Sequence, residues 1–341
     1  MRVAVYYNNN DVRIEERPKP EIKPGEVLLK VMACGICGSD VMEWYRIKRA
    51  PLVLGHEAVG VLSEIGEGVE KYRVGDRVFV SHHVPCNTCR LCLRGEHTAC
   101  ETLHKTNIDP GGFSEYARVP RINVDRGVFK LPDSVAFEEG VFIEPLACVI
   151  RSQRRLPIRA GDSVLVMGSG VSGILHVQTA RLLGASRVIS TDVHRFKLEA
   201  AERFGADAVI DAGEDVPRIL RGVNHGRLAD VVIVSTSAVS AMMQAFQCVG
   251  ETGKILFFAP SAPGVEAPLN LNDFWSRQLS LATSYAAAPC DLADALELIS
   301  SRRVEVKEMV THRLPLSEIA TGFKLVAEAA DSLKVVVEPQ R

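Results

Sequence analysis

Up to about residue 140 the chain alternates short apolar runs with turn residues. Segments 27–31, 58–65, 77–80 and 113–119 have the length and composition of strands, and Pro24-Gly25, Gly75-Asp76 and Gly111-Gly112 punctuate them as turns. This pattern predicts an irregular, mostly β region, with Asn8-Asn9-Asn10 as a loop. The character changes after Pro145. The run 163–167 leads into a Gly-rich turn, and the stretch 173–183 carries apolar residues at 174, 175, 177, 180, 182 and 183, one face of a helix. Strands at 187–190, 208–210, 231–234, 254–258 and 280–283 follow, with a second helix at 196–204. Strands alternating with helices predict βαβ units and a parallel sheet. Helices at 292–299 and 316–327 and a strand at 333–337 complete the chain, which has no internal repeat and no low-complexity tract.

Composition narrows the class. The 341 residues suit about two domains. Lys plus Arg number 40 against 42 Asp plus Glu, a net charge of -2, so nothing in the charge favours a nucleic-acid or membrane partner. No run of 18 apolar residues predicts a membrane span, and the start MRVAVYYNNN lacks the apolar core of a signal peptide. The expected location is the cytoplasm, where nine cysteines are awkward as disulfides. Four of them fall within fifteen residues, which points to metal.

Gly168-Ser169-Gly170-Val171-Ser172-Gly173 is G-x-G-x-x-G between a predicted strand and a predicted helix. In that context the glycines allow a tight turn and let backbone N–H groups approach a pyrophosphate. Asp192 closes the next strand, placed to accept hydrogen bonds from a ribose 2′-hydroxyl and to repel a 2′-phosphate, which favours NAD over NADP. Arg195 and Lys197 are cations that can tolerate a phosphate, and they pull the other way.

Cys86, Cys89, Cys92 and Cys100 form C-x2-C-x2-C-x7-C, a spacing that closes a tetrahedron around Zn²⁺ with no open position. A four-cysteine iron–sulfur cluster is the competing reading. Cys37, His56, Glu57 and Glu144 form a dispersed second set, whose mixed Cys, His and Glu character suits a zinc with one open position. Cys34 reads as a small buried residue, and Cys148, Cys248 and Cys290 as packing residues.

Together these pieces resemble the zinc-containing medium-chain alcohol dehydrogenases, and within them the sorbitol, L-threonine and other polyol dehydrogenases. The resemblance rests on Gly35-Ile36-Cys37-Gly38-Ser39-Asp40, Gly55-His56-Glu57-x2-Gly60-x5-Gly66, Gly75-Asp76-Arg77-Val78, the four-cysteine lobe, Gly112-Phe113-x-Glu115-Tyr116, Glu144-Pro145-Leu146 and the nucleotide fingerprint. It implies an α/β fold: a GroES-like β domain over 1–149 with a structural zinc lobe at about 84–102, a doubly wound Rossmann domain over 150–284, and a return to the first domain over 285–341. It implies two Zn²⁺ per chain and NAD as cofactors, and a homodimer or homotetramer. Cys37 and His56 resemble the first two catalytic zinc ligands, and Glu144 falls where simple alcohol dehydrogenases place a third, a cysteine. Glu57 resembles a carboxylate that binds the metal in some members and stands just outside it in others. Ser39 matches the hydroxyl that relays the alcohol proton. The implied nucleotide contacts are Gly168, Gly170, Val171, Ser172, Gly173, Asp192, Lys197, Ser235 and Phe258. Met42 departs from the family, where polyol members often have His two positions after the Asp of Gly-Ser-Asp.

The implied reaction is reversible oxidation of a secondary alcohol of a polyol, cyclitol or sugar, with or without a phosphate. Ser39 passes the proton onward and hydride goes to the nicotinamide. L-threonine or a simple secondary alcohol is the alternative substrate. From other classes, a catalytically silent NAD- and zinc-binding protein and a nucleic-acid-binding zinc module remain as readings. The cations Arg46, Lys48 and Arg49, with His82, His83, His104 and Lys105, offer a cluster that could attract an anionic substrate, while Trp44, Tyr45 and Asn107 lie in segments that could line the pocket.

Overall fold

A computed structural model describes residues 1–341, which separate into two compact units, Met1–Ala147 with Ala286–Arg341, and Cys148–Tyr285. No helix is long and apolar enough to cross a membrane.

The first unit is built on a seven-stranded sheet. Its path runs Val310–Pro315, Lys334–Glu338, Val27–Gly35, Glu57–Ile65, Arg77–Ser81, Val128–Lys130, with Tyr116–Val119 paired to Val27–Gly35. Only the pair Val310–Pro315 and Lys334–Glu338 is parallel. The C-terminal segment thus enters this sheet directly, Val336 standing opposite Gly35. A three-stranded sheet, Asp11–Glu16, Arg2–Asn8 and Leu52–Val53, packs on the same core through Val3, Val5 and Val53. Val27–Gly35 is buried along nearly its whole length, as expected for a strand with neighbours on both edges and elements on both faces.

The strand expected over 113–119 begins only at Tyr116. Gly111 has a left-handed φ of +148°, and the turn it starts is closed by Ser114, whose hydroxyl donates to the Gly111 and Tyr116 carbonyls. The helix expected over 316–327 starts as a 3-10 turn, Leu316–Glu318, and becomes α-helical over Ile319–Glu328. Of the expected loop Asn8-Asn9-Asn10, Asn8 ends the strand Arg2–Asn8 opposite Asp11, and Asn9-Asn10 form the turn of the hairpin to Asp11–Glu16.

The second unit is a six-stranded, wholly parallel sheet ordered Ala208–Asp211, Arg187–Asp192, Ser163–Met167, Ala229–Val234, Val249–Phe257, Ser280–Thr283. The first strand of the unit, Ser163–Met167, lies in the middle, so the strand order reverses beside it: to one side the chain continues to Arg187–Asp192, to the other to Ala229–Val234. That is the doubly wound topology, and ligands of such sheets sit outside the carboxyl ends of the strands at this switch point. Two apolar clusters, one on Leu165, Ile189 and Val232 and the other on Val164, Val188 and Ile233, follow the alternation of side chains to opposite faces.

Candidate active site and metal centres

Strand register brings the first constellation together. Gly35, the last residue of its strand, stands opposite Glu57, the first of the next, and Glu57 stands opposite Ser81, the last of the third. Cys37 follows Gly35 by two residues, His56 precedes Glu57, and His82 follows Ser81, so three antiparallel strands deliver all of them to one end of the sheet. The ligand atoms of Cys37, His56 and Glu57 lie within 4.8 Å of one another.

Cys37 caps the 3-10 turn Gly38–Val41. Its Sγ accepts the Ser39 N–H at 3.5 Å, and its own N–H donates to Asp40 Oδ2 at 3.0 Å. Asp40 is fully buried, and its Oδ1 lies 3.4 Å from His56 Nδ1. A carboxylate on one ring nitrogen fixes the tautomer and leaves the other for a metal, the usual arrangement around a ligating histidine. Burial opposes a charged imidazole, yet Asp40 and Cys37 outweigh it and raise the His56 pKa well above its ordinary value. A site that grips a proton this firmly is short of positive charge, and metal binding releases such a proton. The donor set and its electrostatics therefore fit a zinc ion.

Glu57 is fully buried, and both its oxygens accept from Lys334 Nζ, at 2.8 and 2.6 Å. Gly35 makes the space: a Cβ there would come within 1.9 Å of Glu57 Oε2. Each carboxylate oxygen has two acceptor sites, so the pairing with Lys334 still leaves one for a metal. Burial opposes the charge of Lys334, but Glu57, Cys37 and Glu144 more than compensate and raise its pKa. Glu144, in the first turn of the helix Ile143–Arg155, is nearly buried in this same neighbourhood, outside the compact Cys37–His56–Glu57 group. Nothing in the sequence pairs Lys334 with Glu57, which lies 277 positions away.

The basic cluster read from the sequence changes character in the fold. His82 and His83 stack with ring centroids 3.8 Å apart, and His82 lies 5.0 Å from His56. Burial is the main force pushing both down, His83 to about 3, so the pair is neutral near pH 7. Arg46 turns inward onto Ser39 and Asp40. Lys105 pairs with Glu101, while Lys48 and Arg49 are exposed.

The four-cysteine lobe fits one metal ion. Sulfurs 3.5 Å (Cys89 and Cys92) and 3.9 Å (Cys86 and Cys92) apart match the edge of a tetrahedron with Zn–S of about 2.3 Å, which is about 3.8 Å. A multinuclear iron–sulfur cluster spreads its thiolates over several metals and needs wider spacing. N–H groups of Thr88 and Cys89 point at Cys86 Sγ, at 3.4 and 3.2 Å, and hydrogen bonds from Thr88 first, then Cys89, pull its pKa to about 5. Burial and neighbouring thiols push Cys92 to about 12, so only a cation makes all four thiolates at once. The lobe has a core of just Cys92, Cys100 and Leu103, too little to hold it without a staple.

In the second unit the nucleotide-type residues converge on the carboxyl ends of the strands. Gly168 follows the central strand with φ of +96°. A Cβ on Gly173 would lie 1.8 Å from the Gly168 carbonyl, so only glycine lets the helix Val171–Leu182 begin against the turn, whereas a Cβ on Gly170 would point into open space. That free face, with the N-terminus of a twelve-residue helix behind it, is a cradle suited to a pyrophosphate. Asp192 ends the adjacent strand, and its oxygens accept from Ser169 N at 2.8 Å and His194 N at 3.0 Å, so the carboxylate braces the turn. Lys197 is nearly buried; desolvation lowers its pKa and Asp192 opposes that. The Arg195 guanidinium is paired with Glu199 at 2.8 Å. Ser235 and Phe258 directly follow the fourth and fifth strands of the sheet; the Ser235 hydroxyl is buried without a partner, and the Phe258 ring meets His176 edge-on at 4.7 Å.

Residues 23–133 match the Alcohol dehydrogenase GroES-like domain and residues 172–301 match the Zinc-binding dehydrogenase family. The chain is a zinc-binding alcohol dehydrogenase of the medium-chain family. It is 33% identical to sorbitol dehydrogenase of Bombyx mori, covering 99% of this chain and 98% of that protein, and 30% identical to sorbitol dehydrogenase of Bacillus subtilis, covering 100% and 98%. Among solved structures it is similar to an Escherichia coli alcohol dehydrogenase complexed with NADH, with TM-score 0.87 at 27% identity over 99% of both chains. This medium-chain dehydrogenase thus has a GroES-like unit and a Rossmann unit, and it is a zinc-binding oxidoreductase.

Proposed function

We propose that this medium-chain dehydrogenase oxidises a secondary alcohol of a neutral polyol or cyclitol to the ketone, with NAD as hydride acceptor. The observation that carries the reading is the compact Cys37–His56–Glu57 group with Ser39 next to it, its backbone N–H donating to Cys37 Sγ. Cys37, His56 and Glu57 would hold the ion; zinc at such a site supplies Lewis-acid polarisation of a hydroxyl oxygen. Asp40 orients His56, Lys334 orients Glu57, and Ser39 Oγ takes the proton released from the substrate hydroxyl as hydride leaves its carbon for the nicotinamide. A neutral substrate is favoured over a phosphorylated one because Arg46 is engaged by Ser39 and Asp40 and the His82–His83 pair is uncharged. Those two imidazoles have buried Nδ1 atoms without partners, and they border His56, so they bring uncharged hydrogen-bonding groups to the site, which suits hydroxyls better than an anion. NADH formation with neutral polyols, cyclitols, their phosphate esters, L-threonine and simple secondary alcohols tests the reading. A higher kcat/KM on a phosphate ester, on L-threonine or on a simple secondary alcohol than on every neutral polyol and cyclitol contradicts it.

NAD is the preferred nucleotide. Asp192 closes the strand next to the Gly168–Gly173 turn, where its carboxylate would accept from a ribose 2′-hydroxyl and repel a 2′-phosphate, and Arg195 is already paired. Asp192→Asn keeps an acceptor for the turn while removing the negative charge, and the NAD over NADP ratio of kcat/KM falls by about tenfold or more. A wild type that prefers NADP would show that Lys197 governs the site instead.

The edge strand Ser280–Thr283 has a single neighbour in its sheet, with Leu281 39% exposed, and the helix before it exposes Leu271 at 73% and Trp275 at 78%. An unprotected edge flanked by apolar side chains is a pairing surface, and an edge can pair with its own copy about a two-fold axis. The protein in solution is therefore a homodimer or a multiple of one. Sedimentation equilibrium gives at least twice 37.2 kDa, and Leu281→Lys shifts the mass toward 37.2 kDa. A wild-type mass of 37.2 kDa at micromolar concentration contradicts the pairing.

A further inference from the structure

Ser39 does not stand alone in the site. Arg46 Nε donates to the Ser39 carbonyl at 2.9 Å, its Nη2 donates to Ser39 Oγ at 3.0 Å, and the same Nη2 lies 3.3 Å from Asp40 Oδ1. The side chain is only 14% exposed, and its guanidinium lies 4.7 Å from the centroid of the Tyr45 ring. Such a planar fork, locked at several points, holds a neighbouring group in one geometry. Resting on the dehydrogenase reading above, we propose that Arg46 is the positioning residue of the proton relay: it occupies one lone pair of Ser39 Oγ and so fixes where the hydroxyl accepts the substrate proton and where it sends its own.

The chemistry follows from the donor inventory. A serine hydroxyl has one proton and two acceptor sites. With Nη2 on one acceptor site, one remains for the substrate hydroxyl, and the serine proton is the only one that can move on. Arginine has no acceptor and keeps its charge, so it does not itself carry the proton. It acts through orientation, and its fixed positive charge stabilises the density left on Oγ as the serine proton departs. Met42 puts no titrating ring two positions after Asp40, and the group that touches Ser39 Oγ is this cation, from a short helix, Glu43–Arg46, seven positions along the chain.

The test is a double-substitution cycle between Arg46 and Ser39 in the zinc-loaded enzyme, read as kcat and KM for the best polyol, with zinc per chain and NADH affinity as separate readouts. Arg46→Ala lowers kcat by about a hundredfold, the scale of a misplaced catalytic group, with KM for NAD unchanged. Arg46→Lys, with one point donor in place of the fork, falls between. In a Ser39→Ala background the Arg46→Ala change costs less than about threefold, because the hydroxyl it positions is gone. Both Arg46 variants keep two zinc ions and wild-type NADH affinity, since Asp40 is still held by Cys37 N and faces His56. The inference is overturned if Arg46→Ala is as active as wild type, if its loss multiplies fully with that of Ser39→Ala, or if its loss tracks loss of zinc. A wild type with no alcohol turnover, or one whose zinc count does not respond to Cys37→Ser, overturns the underlying dehydrogenase reading instead.

Discussion

Cys37→Ser lowers kcat/KM for polyol oxidation by about a thousandfold or more, the several kcal/mol that a lost Lewis acid represents, and leaves one zinc per chain instead of two. The fold survives, because Cys37 is only partly buried and lies outside the apolar core of its unit. The two nearby glutamates separate in the same assay. Glu57→Gln releases the same zinc and also strands the buried Lys334 ammonium, so it costs stability as well as activity. Glu144→Gln keeps two zinc ions, because Glu144 is not in the compact donor group. Metal analysis beside the melting temperature distinguishes the three variants. Zinc lost from Glu144→Gln and kept in Glu57→Gln would transfer the third-ligand role to Glu144.

Cys89→Ala has the opposite signature. It removes the other zinc and, with it, the staple of a lobe that has almost no apolar core of its own. The loss is about 3–5 kcal/mol, on the order of 10 °C in the melting temperature of a unit this size. Turnover per intact catalytic zinc changes little at temperatures where the lobe holds. Differential scanning calorimetry and zinc counting check this together. A variant that melts like wild type with one zinc missing would mean that the lobe holds itself together, and iron in place of zinc would overturn the site.

The parts legible in the sequence are those whose signal is local. The strand, turn and helix around Gly168 to Gly173 form a continuous segment, and the C-x2-C-x2-C-x7-C spacing lies within one loop, so both read directly. The Cys37 and His56 site was legible only as a family pattern. Its assembly depends on the register of Gly35, Glu57 and Ser81 across three strands, which no local pattern specifies. Lys334 was invisible because its partner is brought to it by the C-terminal strand pairing beside Gly35. In the sequence Arg46 cannot be told apart from Lys48 and Arg49, the cations beside it in the same anion-attracting run. The short helix ending at Arg46 turns this one side chain back onto Ser39, while the two later cations stay exposed. His82 and His83 were counted as basic residues, and burial beside His56 keeps them neutral.

The most direct measurement of the central claim is isotope transfer. A polyol deuterated at a secondary carbinol carbon is incubated with the enzyme and NAD, and the reduced nucleotide is analysed by mass spectrometry. Direct hydride transfer from that carbon predicts NADH one mass unit heavier, formed only when the Cys37 site holds zinc. Reduced nucleotide without deuterium, or labelled nucleotide formed equally well by Cys37→Ser, would contradict the account.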